Sequence, residues 1–157
     1  MKINESYLNS PLGLLKLKVK DDKLVSIIYE NNNIKTKDIS SNSSVFMINI
    51  KKQLNEYFKG QRKDFDISLE LQGTEFEKDI YRTLMDVRYG EVTTYKKLAQ
   101  RSGHRKAYRA VGTALKKNKI PILVPCHRVL KSDESIGNYN GGKWRKEKLL
   151  SIEGFLI

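Results

Sequence analysis

The sequence predicts an α+β chain made of two parts, a small α+β first half and a mainly helical second half. Leucine and valine alternate with lysine over Leu14 to Val19, which favours a strand because successive strand side chains point to opposite faces. Beyond Gly73 the apolar residues recur at helical spacing instead. We therefore predict one domain over residues 1–73 and a second over residues 74–157.

The first half is predicted to contain short strands separated by turns at Pro11-Leu12-Gly13 and Asp21-Asp22-Lys23. Apolar residues also alternate just before Gly73, and this pattern predicts a further strand. The predicted strands are Tyr7-Leu8, Leu14 to Val19, Leu24 to Tyr29 and Phe65 to Leu71.

Between these strands we expect loops at Asn31-Asn32-Asn33 and at Ser40 to Ser44, followed by one helix. The helix is predicted from Val45 to Phe58 and is ended by Lys59-Gly60. It is indicated by apolar residues at helical spacing, namely Phe46, Ile50, Leu54, Tyr57 and Phe58.

The second half begins with Thr74, which together with Glu77 fits the capping box of a helix N-terminus. We expect this helix to continue as far as Val87 and to stop at Tyr89-Gly90. Its apolar face comprises Phe76, Ile80, Tyr81, Leu84 and Val87.

Two further helices are predicted next. Thr93 or Thr94 can cap a short helix, and a third helix runs from Arg105 to Lys117 after the turn Ser102-Gly103-His104. Two short helices joined by a glycine-containing turn are typical of a helix-turn-helix.

The chain then contains an apolar, β-branched run, Ile122 to Val124, which predicts a buried strand or extended segment ended by Pro125. The stretch Gly137 to Gly142 is predicted to be a loop that can wrap a ligand. A last helix is expected from Lys143 to Ile152.

Positive charge is concentrated in the second half. The formal net charge of the chain is +12, and residues 1–73 contribute +3 while residues 74–157 contribute +9. Val92 to Ser132 holds eleven basic residues and no acidic one. Such a segment favours a polyanion partner, of which nucleic acid is the commonest, and the alternative is a solvated basic face.

The third predicted helix has a basic stripe with a glycine in its middle. At 100° per residue, Arg105, Arg109, Gly112 and Lys116 share one side of the helix. Basic side chains bind phosphates, and a glycine lets the helix backbone approach a surface closely. The opposite side is predicted to pack inward through Ala107, Ala110, Val111 and Ala114.

The only cysteine of the chain, Cys126, is followed directly by His127, one of two histidines. A thiol reacts as its thiolate, and the imidazole of His127 and the guanidinium of Arg128 are the groups expected to lower its pKa. The alternative is that Cys126 is a small buried hydrophobe without reactivity.

Several classes of protein are disfavoured by composition. The chain has no run of about 18 apolar residues that could span a membrane and no signal-peptide pattern at its start. One cysteine forms no internal disulfide, which favours the cytoplasm, and a structural zinc site would need four Cys or His ligands.

The spacing of several short motifs resembles the O6-alkylguanine-DNA alkyltransferases, also called methylated-DNA–protein-cysteine methyltransferases. The resemblance is dense from Thr74 to Gly154 and weaker in the first half, where Ser10-Pro11-Leu12-Gly13 is similar. The residues that carry it are Tyr95 in Tyr-Lys-Lys-Leu-Ala, Arg109 in Arg-Ala-Val-Gly, Asn118, Pro125-Cys126-His127-Arg128-Val129, Asn138-Tyr139-Asn140-Gly141-Gly142 and Glu153.

The resemblance implies a ribonuclease-H-like α+β domain followed by a helix-turn-helix, winged-helix-like domain that holds the reactive cysteine. It implies that Cys126 accepts the alkyl group, with His127 as base, Glu153 orienting it and Tyr95 assisting the leaving guanine. Asn118 would tie the recognition helix to the active-site segment.

DNA contacts are expected from the basic stripe. The resemblance implies that Tyr95 also contacts DNA and that Arg109 fills the gap left by a nucleotide flipped through the minor groove. The resemblance implies a substrate pocket made by Pro121, Val129, Tyr139, Asn140 and Gly141. The backbone carbonyls of Cys126 and Val129 would accept from the guanine amine, and the N–H of Asn140 would donate to O6. Asn140 stands where the family often has Ser or Ala.

We thus expect a monomer that acts once on double-stranded DNA containing O6-alkylguanine, with no cofactor and no metal. Two alternatives stay open, a non-catalytic damage-recognition protein of the same fold and a helix-turn-helix regulator with an inert cysteine. A papain-like hydrolase is disfavoured because its local cysteine pattern is missing.

Overall fold

The computed structural model describes residues 3–30 and 44–155 and divides into two units, Met1–Glu70 and Leu71–Ile157. The first unit is a small sheet with one helix, and the second is mainly helical. The predicted fold class of an α+β part followed by a mainly helical part is confirmed.

The first unit begins with an antiparallel meander of β1 (Ile3–Ser10), β2 (Gly13–Lys20) and β3 (Lys23–Tyr29). Asp21 and Asp22 both have positive φ, 50° and 60°, as a tight two-residue hairpin turn requires. The alternation in β2 is confirmed, since its leucine and valine side chains are buried whereas its lysines are partly exposed. All three observed strands extend beyond their predicted bounds.

Helix α1 (Val45–Phe58) has the predicted bounds. The Ser44 hydroxyl caps it by accepting from the backbone N–H of Met47 at 3.0 Å. Its core-facing apolar residues are Met47, Ile50, Leu54 and Tyr57. The predicted loops at Asn31-Asn32-Asn33 and over 40–43 lie outside the described residues.

The predicted strand over Phe65 to Leu71 is wrong. The segment makes one isolated parallel bridge, between Leu69 and Leu24. Its Asp66 backbone is bound instead by the side chain of Gln53 in α1, which accepts from the N–H at 2.9 Å and donates to the C=O at 3.1 Å. Because the side-chain amide of Gln53 occupies the N–H and C=O of Asp66, the pairing with Leu24 does not extend into a ladder.

Helix α2 (Glu75–Leu84) opens the second unit with the predicted capping box. The Thr74 hydroxyl accepts from Glu77 N–H at 3.1 Å, and Glu77 accepts from Thr74 N–H at 2.9 Å. The helix ends at Leu84 rather than at Val87, because Val87 N–H bonds to Leu84 C=O at 3.0 Å in a tighter turn.

Helices α3 (Tyr95–Arg101), capped by Thr94, and α4 (Tyr108–Lys116) form the predicted helix-turn-helix. The expected start of α4 at Arg105 is wrong, because a turn closed by Ala107 N–H on His104 C=O at 2.8 Å precedes it. Arg105 therefore lies in that turn. Ala110, which was expected to pack inward, is exposed.

The segment Ile122 to Val124 is buried as predicted but forms turns instead of a strand, with Ile122 at φ 77°. A two-residue parallel pairing that the sequence did not suggest joins β4 (Thr93–Thr94) to β5 (Val129–Leu130). Helix α5 (Lys143–Ile152) matches its predicted bounds.

Within 3–30 and 44–155, none of the helices combines the length and the apolar character needed to span a bilayer. In the same ranges, His, Cys, Asp and Glu side chains do not gather in threes as a set that could hold a metal ion.

Candidate active site

Cys126 lies in a single 3₁₀ turn, Cys126–Arg128, between Pro125 and β5. The parallel pairing of β5 with β4 places this turn beside the start of α3, where Tyr95 follows Thr94. The thiol is therefore held by a pairing between segments about 35 residues apart in the sequence.

The thiol of Cys126 is 8% exposed and has defined hydrogen-bond donors. The side-chain amide of Asn118 donates to Sγ at 3.2 Å and to the C=O of Val124 at 2.9 Å, and Tyr139 also bonds to the sulfur. Burial raises the pKa of the thiol, while these bonds and the charge of Lys146 oppose the rise. The resting group is thus a thiol.

His127 and Glu153 form a buried pair with Arg128. Nε2 of His127 lies 2.7 Å from Oε2 of Glu153, and Arg128 donates to Oε1 at 2.8 Å and to Oε2 at 3.0 Å. A third donor of Arg128 bonds to the C=O of Val87 at 2.6 Å. The donors of this guanidinium are thus taken by Glu153 and Val87, and the charge that opposes the rise in the thiol pKa is that of Lys146.

Burial and partners set the charges in this cluster. Burial disfavours the carboxylate, but the hydrogen bonds from His127 and Arg128, together with the charge of Arg128, lower the pKa of Glu153 to about 2. Burial lowers the pKa of His127, and the opposing effect of Glu153 is countered by the charges of Arg128 and Lys146. Nδ1 of His127 is buried and has no hydrogen-bond partner among the described residues.

Lys146 of α5 is a fully buried lysine at the same site. Its ammonium donates to the C=O of Val129 at 2.6 Å and to the C=O of Asn138 at 3.4 Å. Burial lowers its pKa to about 8, although a thiolate at Cys126 acts in the opposite direction. Lys146 therefore connects α5 to both β5 and the loop that precedes the helix.

A pocket of about 390 Å³ opens beside the thiol, a volume within the range of roughly 300–1,000 Å³ usual for small-molecule sites. It is walled by α3, α4, the 3₁₀ turn and the 137–142 loop. Its lining residues are Tyr95, Arg109, Gly112, Thr113, Leu115, Lys116, Cys126, Lys131, Asn138, Tyr139 and Asn140.

The loop over 137–142 is attached to the end of α4. The side-chain amide of Asn140 donates to the C=O of Lys116, one of the terminal carbonyls that a helix leaves unpaired. Across the pocket, the Tyr95 ring lies 3.9 Å from where a Cβ on Gly112 would stand. Burial raises the pKa of Tyr95, as does a thiolate at Cys126 when it forms, so its hydroxyl keeps its proton.

Comparison with known families agrees with this arrangement. The family model described as 6-O-methylguanine DNA methyltransferase, DNA binding domain, matches residues 75–155, and the one for the ribonuclease-like domain of the same proteins matches residues 3–71. The chain belongs to the 6-O-methylguanine DNA methyltransferase family. The resemblance inferred from its motifs is confirmed.

Similar members of the methyltransferase family cover nearly the whole chain. The methylated-DNA–protein-cysteine methyltransferase of Methanosarcina acetivorans is 37% identical over 147 residues, which cover 92% of this chain and 94% of that protein. The crystal structure of Mycobacterium tuberculosis OGT in complex with DNA is 34% identical, with a TM-score of 0.85 over 95% of this chain and 91% of that one.

The structure brings most of the residues suggested for methyltransferase chemistry into one site. Asn118 contacts the thiol, Glu153 contacts His127, and Arg109, Gly112 and Lys116 line the pocket. Arg105 does not line the pocket. Of the residues suggested for the substrate pocket, Tyr139 and Asn140 line it, whereas Pro121, Val129 and Gly141 are buried outside its lining.

Lys146 is the charged residue of the site that sequence reasoning missed, whereas Glu153 was predicted. Lys146 and Glu153 are seven residues apart and share the buried side of α5 with Leu149 and Leu150. Lysine and glutamate are almost never fully buried unless they are paired. Their positions beside Leu149 and Leu150 could therefore have predicted a buried polar site on this helix. Arg128 had been assigned to the thiol, and only the structure shows its contact with Glu153.

Proposed function

We propose that this protein repairs DNA by moving an alkyl group from O6 of guanine to its own Cys126. The observation that carries the proposal is the placement of the chain's only cysteine in a pocket with Tyr95 and Arg109, next to a buried histidine–glutamate pair. Membership in the methyltransferase family supports the same chemistry.

The proposed transfer is a displacement at the alkyl carbon. Sγ of Cys126 bonds to that carbon while its bond to O6 breaks, and the thiol proton passes to Nδ1 of His127, directly or through a water. Guanine leaves with the electron pair of the broken bond and takes up a proton, so a neutral base and a thioether result. His127 returns its proton to solvent.

The raised pKa of Cys126 makes the base necessary, because the resting thiol carries its proton at neutral pH. Asn118 and Lys146 favour the thiolate as it forms, by a hydrogen bond and by charge. Tyr95, with its raised pKa, is able to donate to N3 of the leaving guanine. The Val129 carbonyl suggested for the guanine amine already accepts from Lys146.

Double-stranded DNA is the proposed partner, bound along the exposed side of α4. Arg109 and Lys116 are exposed there on either side of Gly112 along the helix. A guanine reaches a pocket only after it is flipped out of the duplex, at a cost of a few kcal/mol, and Arg109 would fill the gap. A thioether is stable, so each molecule acts once, and we propose a monomer that uses no cofactor and no metal.

Intact mass measurement tests the transfer. The protein is mixed with a duplex containing O6-methylguanine, and we expect a gain of one methyl mass on the peptide that contains Cys126. Cys126→Ala should gain nothing. DNA binding without any mass gain would instead identify a damage-recognition protein, and sequence-selective binding to undamaged DNA would identify a regulator.

The role of Arg109 is tested by comparing two substrates. Arg109→Ala should slow repair of duplex DNA by tenfold or more, because the extruded state loses the side chain that fills the gap. A factor of ten corresponds to a loss of about 1.4 kcal/mol of stabilisation. The same variant should react normally with free O6-benzylguanine, which needs no flipping. Equal losses on both substrates would exclude a flipping role.

A further inference from the structure

We propose that Arg128 is a positioning residue that sets which nitrogen of His127 acts as the base. This inference rests on the proposed alkyl transfer. Arg128 holds both oxygens of Glu153, through Nε to Oε1 at 2.8 Å and through Nη2 to Oε2 at 3.0 Å. Its Nη1 is anchored on the C=O of Val87 at 2.6 Å, so the guanidinium is fixed from a third direction.

The held carboxylate determines the tautomer of His127. An ionised carboxylate only accepts hydrogen bonds, so the proton in the 2.7 Å contact between Glu153 and His127 belongs to Nε2. In a neutral imidazole the other nitrogen then has a free lone pair. That nitrogen, Nδ1, is buried and unpartnered within the described chain, so its lone pair is available to take up a proton.

Arg128 also keeps the imidazole neutral. Alone, the negative charge of Glu153 would stabilise an imidazolium, whose Nδ1 carries a proton and takes up no other. The charged and titratable groups that face His127 are Glu153 and Lys146 from α5 and Arg128 and Cys126 from its own turn. Burial lowers the pKa of His127, and the charges of Arg128 and Lys146 oppose the effect of Glu153, which would raise it.

A guanidinium suits this position better than an ammonium. A planar fork binds both carboxylate oxygens and still has a donor for a carbonyl, whereas a lysine is a point charge on a flexible stem. Arg128→Lys therefore keeps the charge and loses the geometry, and Arg128→Gln loses the charge. The two variants separate these contributions.

The first test follows alkyl transfer from free O6-benzylguanine to Cys126 between about pH 5 and 9, the range in which histidine titrates. In Arg128→Gln the acid limb of the rate profile should move to higher pH by about one unit or more. Arg128→Lys should move it in the same direction by a smaller amount. An acid limb at the wild-type position in Arg128→Gln would overturn the proposal.

The second test observes the two histidine rings by ¹⁵N NMR and needs no alkyl transfer. At neutral pH wild-type His127 should show the neutral Nε2–H tautomer, and Arg128→Gln should show an imidazolium. His104, which lies 3.6 Å from Asp79 in the same unit, is the internal control and should not change.

The outcomes distinguish this inference from the proposed function. Wild-type protein that gains no benzyl mass contradicts the transfer, whatever the NMR spectrum shows. Benzyl transfer with an unchanged His127 ring in Arg128→Gln contradicts the role of Arg128 alone. If Arg128→Gln does not fold, the same two measurements are made on Arg128→Lys. An acid limb and a His127 spectrum that both match the wild type in Arg128→Lys would then overturn the proposal.

Discussion

At the residue scale, Asn118 links the end of α4 to the thiol. Its amide donates to both Cys126 and Val124, and its oxygen accepts from the N–H of Ile120 at 3.0 Å. One side chain thus closes the turn that follows α4 and also stabilises negative charge on sulfur. The position of the sulfur and its acidity are therefore set together.

Asn118→Ala should raise the pKa of the Cys126 thiol further, because the hydrogen bond that favours the thiolate is lost. Hydrogen bonds to charged groups contribute about 1.5–3 kcal/mol, so alkyl transfer at neutral pH should slow by about tenfold or more. The pH dependence of thiol reaction with iodoacetamide measures the shift. Asn55→Ala, at an exposed position of α1, is the control, and a wild-type thiol titration in Asn118→Ala would contradict the prediction.

At the element scale, α4 has a glycine at a position where a larger residue would fit. A Cβ on Gly112 would make only ordinary contact with the Tyr95 ring, at 3.9 Å. Packing within the protein therefore does not require glycine. The remaining reason is an approach from outside, and the exposed side of α4 is the proposed DNA surface.

Gly112→Ala should stabilise the protein by about 0.5–1 kcal/mol, because alanine is the better helix former. Affinity for duplex DNA should fall at the same time, since the methyl group stands on the proposed contact surface. Urea unfolding and a binding titration measure the two effects. Ala110→Gly, at an exposed α4 position outside the pocket lining, should lose stability with DNA affinity nearly unchanged. Unchanged DNA affinity in Gly112→Ala would remove the argument for close approach.

The elements also show what sequence can and cannot predict. Helix α1 has its predicted bounds because its apolar spacing and its ends are encoded locally, and α5 also has its predicted bounds. The pairing of β4 with β5 and the contact of Arg128 with Glu153 were not predicted, since both join segments 25 or more residues apart. The expected strand Phe65 to Leu71 was wrong for another reason, because the alternation of its apolar residues does not show that Gln53 of α1 binds the backbone of Asp66.

The motifs of the site were readable because each is short and contiguous, yet the charges around them depend on the fold. Lys146 and Glu153 become neighbours of the turn at Cys126 only when α5 packs there. Burial lowers the pKa of Lys146 to about 8, and hydrogen-bond partners lower that of Glu153 to about 2 against the effect of its burial. No local pattern specifies this burial or these partners. The acid–base behaviour of the site is therefore a property of the folded unit.

At the scale of the whole molecule, the net charge of +12 is distributed over cations with different tasks. Arg128 is buried on Glu153, and Lys117 lies 3.4 Å from Glu77. Lys119 donates to Gln72 at 3.0 Å. The electric field of the net positive charge attracts DNA over a long range. Only cations that contact phosphates release counterions from the DNA.

This distinction predicts how DNA affinity depends on salt. The logarithm of the affinity should fall linearly with the logarithm of the salt concentration, by about 0.9 per phosphate contacted. Lys116→Ala should reduce the slope by about one, because this exposed lysine lines the pocket on the proposed DNA surface. Lys117→Ala is the matched control. The ammonium of Lys117, the next residue, is paired with Glu77, so its removal should change the slope much less. Fluorescence anisotropy between about 50 and 200 mM salt measures both slopes. A larger change in Lys117→Ala than in Lys116→Ala would mean that DNA lies against a different surface.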